Sequence, residues 1–136
     1  MMRANNGFSL MEIMIALAII GIVSSYAIPH YQDYLRRNHR AEASMALENL
    51  ALNLDHYYNL NQSYNGASLE KLNIPARTHS GLYQLAIQKA TDDSFVVTAS
   101  PLGAQTMDAQ CGELRLDSVG NESATGTSPN PEQDCW

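Results

Sequence analysis

Charge is nearly absent where the chain begins its longest apolar run. From Phe8 to Ile28 there are 21 residues and one charge, Glu12. Such a stretch excludes an ordinary soluble surface helix there. Cysteine is scarce too, with only Cys111 and Cys135, both in the last quarter. Neither sits at zinc-type spacing, and His30, His39, His56 and His79 are scattered, so metal-ligand patterning is missing. No glycine-rich phosphate loop and no nucleophile elbow occurs, which removes the commonest nucleotide-binding and hydrolase signatures. We therefore expect no enzyme activity and no cofactor. Bases are few: eight Lys and Arg stand against fourteen Asp and Glu, for a net charge of −6. Beyond Thr91 the acids are Asp92, Asp93, Asp108, Glu113, Asp117, Glu122, Glu132 and Asp134, opposed by Arg115 alone. An acidic far end disfavours phosphate binding, so nucleic acid is an unlikely partner on charge alone.

What the chain does have is a helix of membrane length. Twenty-one residues at 1.5 Å each extend about 32 Å, enough to cross a bilayer core. A carboxylate four residues into that run costs a few kcal/mol in hydrocarbon, so Glu12 calls for either a partner or a place at the membrane edge. If the first third is one long helix, roughly eighty residues remain to build a core. A unit that small is commonly stapled or partnered. The two cysteines allow one intramolecular pairing, and a disulfide in an oxidising compartment is the reading that fits a membrane-targeted N-terminus. Two free thiols are the alternative.

The run is too long for the apolar core of a cleaved secretory signal, and it has no Ala-x-Ala-type stop. The residues before it, Met1 to Gly7, are polar with one base, Arg3. The hexapeptide Gly7-Phe8-Ser9-Leu10-Met11-Glu12, followed by the apolar run and by Pro29, resembles the class III prepilin motif of type IV pilins. The similarity is strongest over residues 7–35. Cys111-Gly112-Glu113-Leu114-Arg115-Leu116 and the Cys135-Trp136 ending are similar to the type IVa minor pilins called PilE-like.

This resemblance implies a leader over residues 1–7, a transmembrane and assembly helix over 8–35, and a head domain over 36–136. It implies cleavage by a prepilin peptidase between Gly7 and Phe8 and N-methylation of Phe8. It also implies that Glu12 neutralises the Phe8 ammonium of a neighbouring subunit. The partners implied are other pilin subunits, the peptidase, an inner-membrane assembly platform, and the membrane itself before assembly. The subunit would wait in the inner membrane with its head in the periplasm and end in an extracellular pilus serving twitching motility or adhesion. Counting Arg36, Arg37 and Arg40 against Arg3 would put the C-terminal side in the cytoplasm. The processing chemistry requires the reverse. Two rivals remain: a DNA-receptor pilin of natural transformation and a type II secretion pseudopilin.

Past Pro29 the pattern stays helical to about Leu60, with a kink or unwinding expected near residues 25–29, where Pro29 removes a hydrogen bond. Ala43, Leu47, Leu50, Leu54 and Tyr57 form one face, and Glu42, Ser44, Glu48 and Asp55 the other. Arg36, Arg37, His39 and Arg40 read as a basic cluster facing lipid headgroups or acids of neighbouring subunits. Residues 59–81 read as loop, with one helical turn at Ser68–Leu72 capped by Ser68. Residues 82–90 and 94–100 alternate as a hairpin around Thr91-Asp92-Asp93, and 111–119 read as a third strand. Residues 123–134 show no period and read as loop. The expected fold is α+β: a long N-terminal helix packed on three or four antiparallel strands, with a C-terminal disulfide region.

Overall fold

The computed structural model describes residues 7–136. The leader expected over residues 1–7 therefore lies, except for Gly7, outside the described residues. A single helix, α1 (Leu10–Asn61), is followed by β1 (Tyr83–Ala90), β2 (Phe95–Pro101), β3 (Leu114–Asp117), β4 (Glu122–Ala124) and a short α2 (Pro131–Asp134). A 3₁₀ turn, Gly103–Met107, lies between β2 and β3. The chain divides into two compact units, one ending at Leu35 and one running from Arg36 to Trp136.

In the first unit α1 opens where Ser9 offers its carbonyl to the N–H groups of Glu12 and Ile13, at 3.0 and 3.2 Å. The helix continues through Pro29 without interruption, so the unwinding expected at residues 25–29 is not present. Proline deletes one backbone donor, and the hydrogen bonds on either side can still hold the turn. Ser25 returns its hydroxyl to the Ile22 carbonyl at 2.7 Å, the usual recourse of serine inside a helix.

The second unit, which we call the head, is built on the remainder of α1. Arg40, Ala43, Leu47, Leu50 and Leu54 recur at three- and four-residue intervals and are buried. They pack with Tyr83 and Leu85 of β1, Phe95, Val97 and Ala99 of β2, and Leu114 and Leu116 of β3. Each such leucine or phenylalanine contributes about 2 kcal/mol relative to exposure. The strands form an antiparallel meander in the order β1-β2-β3-β4. Pairing is in register except for a bulge between Ile87 and Lys89. The alternation of buried and exposed positions along β3 places Arg115 on the outer face, opposite Thr98 and Ser123.

Two expectations need adjustment. The third strand is four residues long, not nine: the Cys111 N–H goes to Asp108 Oδ1 at 3.3 Å, and the chain turns after Asp117, whose carbonyl takes the Gly120 N–H at 3.1 Å. The stretch 123–134, read as loop, begins inside β4 and ends in α2. The helical turn near Ser68 is present, with the Lys71 N–H on the Ser68 hydroxyl at 3.3 Å and the Leu72 N–H on its carbonyl at 3.0 Å.

Candidate functional site: an exposed apolar helix and a disulfide-clamped head

The first unit presents its apolar side chains to the outside. Phe8 is 81% exposed, and Leu10, Met11, Ile13, Leu17, Ile20 and Ile22 are likewise open. The segment is long and apolar enough to cross a membrane, and its most apolar 18-residue window is 0% buried. A surface of that kind is not stable in water and needs lipid or other helices around it. Glu12 lies in the first turn of α1. Its carboxylate has no hydrogen-bond or ion-pair partner among the described residues. Gly7 has open space where a side chain would project. Near the end of the unit, Ala27, Ile28, Tyr31, Gln32 and Leu35 line a shallow, largely apolar groove, and the Tyr26 and His30 rings meet at 4.5 Å.

In the head, Cys111 and Cys135 form a disulfide across 24 residues, with Cα atoms 5.5 Å apart. The pairing closes the β3–β4 region, and the terminal Trp136 adds its indole N–H to the Ser123 carbonyl at 3.0 Å. In the chain-entropy account a loop of this size contributes about 3 kcal/mol, the mechanism being disputed.

Behind the disulfide lies a polar network that sequence reading did not assemble. Arg40, expected with Arg36, Arg37 and His39 to face lipid headgroups or acids of neighbouring subunits, is instead buried in the head. Its Nη1 is 3.5 Å from Asp108 Oδ2 and donates to Cys111 Sγ. Gln105 sends its amide N–H groups to the Arg36 carbonyl, the Tyr83 hydroxyl and Asp108, at 3.2, 3.1 and 3.3 Å. Burial pushes the Tyr83 phenol up to about 12, with Asp108 adding to the shift and Gln105 and Arg40 opposing it. The available signal was spacing: Arg40 precedes Ala43 and Leu47 by three and seven residues and so shares their inward face. Its partner Asp108 is remote in sequence and carries no such mark.

The outer face of the sheet holds a groove of about 470 Å³ lined by Gln88, Lys89, Val96, Arg115, Asp117, Asn121 and Ser123. Its charges are mixed. Arg115 is 3.4 Å from Glu113. Burial works against the Asp117 carboxylate, but N–H donors from Asn121, Val119 and Gly120 hold its pKa below the usual range. On the flank of α1, burial likewise opposes the charge of Glu42. The Ser80 N–H at 2.8 Å, aided by His39 and His79, nevertheless keeps its pKa low.

The helix and meander together define a pilin fold. The meningococcal non-core minor pilin PilV matches with a TM-score of 0.58 at 22% identity, over 75% of this chain and 94% of that one. A type IV pilin from Shewanella oneidensis matches at 0.52 and 22%, over 74% and 97%. Residues 2–28 match the prokaryotic N-terminal methylation motif. Residues 29–115 match the family described as type IV minor pilin ComP, DNA uptake sequence receptor, and the chain belongs to that family. A fimbrial protein of Moraxella nonliquefaciens is 52% identical over 42 residues, which are 31% of this chain and 27% of that protein. The chain thus aligns with about a quarter to a third of the length of the fimbrial relatives it matches.

Proposed function

We propose that this chain is a minor subunit that enters a type IV pilus through residues 8–35. The observation that carries the reading is the bare apolar helix with a single carboxylate near its start. Prepilin peptidase would cut between Gly7 and Phe8, and Phe8 would become the methylated N-terminus. The helix would hold the subunit in the inner membrane, head outside, until the assembly platform passes it to a growing fibre. There the Glu12 carboxylate of one subunit meets the Phe8 ammonium of another. Either charge alone is costly in an apolar bundle, and the pair is far less so. Cost in lipid thereby becomes a drive toward assembly, and the pairing fixes axial register. Pro29 removes one backbone hydrogen bond and would let the helix loosen there on packing into a bundle. The reading is tested by mass spectrometry of chain recovered from sheared pili. An N-methylated Phe8 at the N-terminus is the expected result; an intact chain starting at Met1, found only in membranes, counts against it.

A second reading concerns the head. The family's description names a DNA uptake sequence receptor, and the outer groove brings Lys89 and Arg115 together on the sheet. Those two cations would contact phosphates, with Gln88, Asn121 and Ser123 as neutral donors beside them. The acids of the head argue for weak binding, and two phosphate contacts for a salt slope of about two. Filter binding over a salt series decides. Lys89→Ala and Arg115→Ala should each lower affinity and each reduce the salt slope by about one. An unchanged slope in both would remove this groove from any DNA contact.

A further inference from the structure

Arg40 is a buried cation whose guanidinium touches sulfur. Its Nη1 donates to Cys111 Sγ and lies 3.5 Å from Asp108 Oδ2. Asp108 takes the Cys111 N–H on Oδ1 and Gln105 Nε2 on Oδ2, each at 3.3 Å. Cys111 is 0% exposed. Cys135 is held differently. It is 2% exposed, and its sulfur lies 3.9 Å from the Gln110 carbonyl with no charged group among the contacts of the described residues. It follows the four-residue α2, whose neighbourhood is fastened by exposed contacts such as Ser128 Oγ to Asp134 Oδ2 and the Trp136 indole to Ser123. The sulfur of Cys111 also lies 3.9 Å from the Asp134 carbonyl.

A disulfide sulfur is a weak acceptor, whereas a thiolate beside a guanidinium is strongly favoured. The Arg40 contact therefore matters most before the bond exists. We propose that Arg40 makes Cys111 the attacking thiolate in closure of the disulfide, and that the external oxidant is captured first at Cys135. The Cys135 thiolate attacks an external disulfide, forming a mixed disulfide and releasing one of its sulfurs as thiolate. The Cys111 thiolate then attacks the Cys135 sulfur, forming the Cys111–Cys135 bond and expelling the second external sulfur. The two protein thiols lose two electrons and two protons, and the external disulfide leaves as two thiols. Attachment agrees with this order: the segment carrying Cys135 is fastened by exposed contacts, whereas Cys111 is held from within by Arg40 and Asp108. Arg40 carries the favourable charge and Asp108 the opposing one, so the two residues set the reactivity of Cys111 between them.

The test uses reduced full-length protein in detergent, treated with oxidised glutathione from pH 6 to 9, quenched with acid and mapped by mass spectrometry. In the wild type the transient glutathione adduct is expected on Cys135, and closure is expected to rise with pH about a midpoint below the ordinary thiol value of about 8.5. Arg40→Met should raise that midpoint by about one unit and prolong the Cys135 adduct. At pH 7 closure should slow about threefold, since a tenfold loss of thiolate is partly offset by its greater nucleophilicity. Arg40→Lys should retain most of the low midpoint. Asp108→Asn should move the midpoint the opposite way, downward, whereas damage to packing alone would move Arg40→Met and Asp108→Asn together. An adduct found mainly on Cys111, or one midpoint shared by wild type, Arg40→Met and Asp108→Asn, overturns the proposal. Should Arg40→Met not fold, the wild-type capture site and the Asp108→Asn shift decide it.

Discussion

Gly126 has a φ of +136°, and a methyl group added there would run into the carbonyl of Gln110. Both the backbone conformation and the close approach exclude a side chain. Gly126→Ala should therefore destabilise the head by about 2 kcal/mol or more in urea unfolding. Gly81 is the control: its φ is +73° but the space around it is open, so Gly81→Ala should lose only about 1 kcal/mol. Leu50, fully buried between α1 and the sheet, belongs to the larger class, and Leu50→Ala should lose about 2–5 kcal/mol. Leu50 was legible from its spacing with Leu47 and Leu54. Arg40 was not. In sequence it sits among Arg36, Arg37 and His39 and reads with them as a basic cluster, and the partners that meet its buried guanidinium, Asp108 and Cys111, are remote in sequence. An ion pair so enclosed is a device of position more than of stability.

Among the elements, α1 was the easiest to read and its anchorage the hardest. Residues recurring every three or four positions identify its buried face, and alternation over 83–90 and 95–101 identifies the hairpin. β4 and α2 are three and four residues long, too short for any period to register, and their pairing is set by the disulfide and by β3. The turn at 78–81 is tied to α1 through Glu42, which accepts the Ser80 N–H at 2.8 Å. Burial disfavours the charged form of Glu42, yet that bond and the nearby His39 and His79 hold its pKa below the ordinary glutamate value. A carboxylate with a lowered folded pKa stabilises above its unfolded pKa and loses that contribution as pH falls through the folded value. Amide exchange at Ser80 should thus accelerate as the pH falls below the ordinary glutamate range, after correction for intrinsic rates. Glu42→Gln should abolish that added acid sensitivity, and a wild-type profile in the variant would show that Glu42 does not hold the turn.

The molecule as a whole separates its chemistry along the chain: apolar and nearly uncharged up to Leu35, then a small acidic head with its own core. Both halves of that division were legible, the first from the length of the apolar run and the second from the excess of acids beyond Thr91. How the head closes on itself was only half legible, since two cysteines announce a bond but not the guanidinium beside it. The central claim rests on the carboxylate in the apolar part. Its most direct test is the amount of Glu12→Gln subunit in sheared pili relative to the membrane fraction, measured by quantitative immunoblot. Glutamine keeps the size and most of the polarity but cannot neutralise an ammonium. We predict at least a tenfold fall in the pilus fraction, with membrane level and processing at Gly7–Phe8 unchanged. Incorporation at the wild-type level would contradict the charge-pair account.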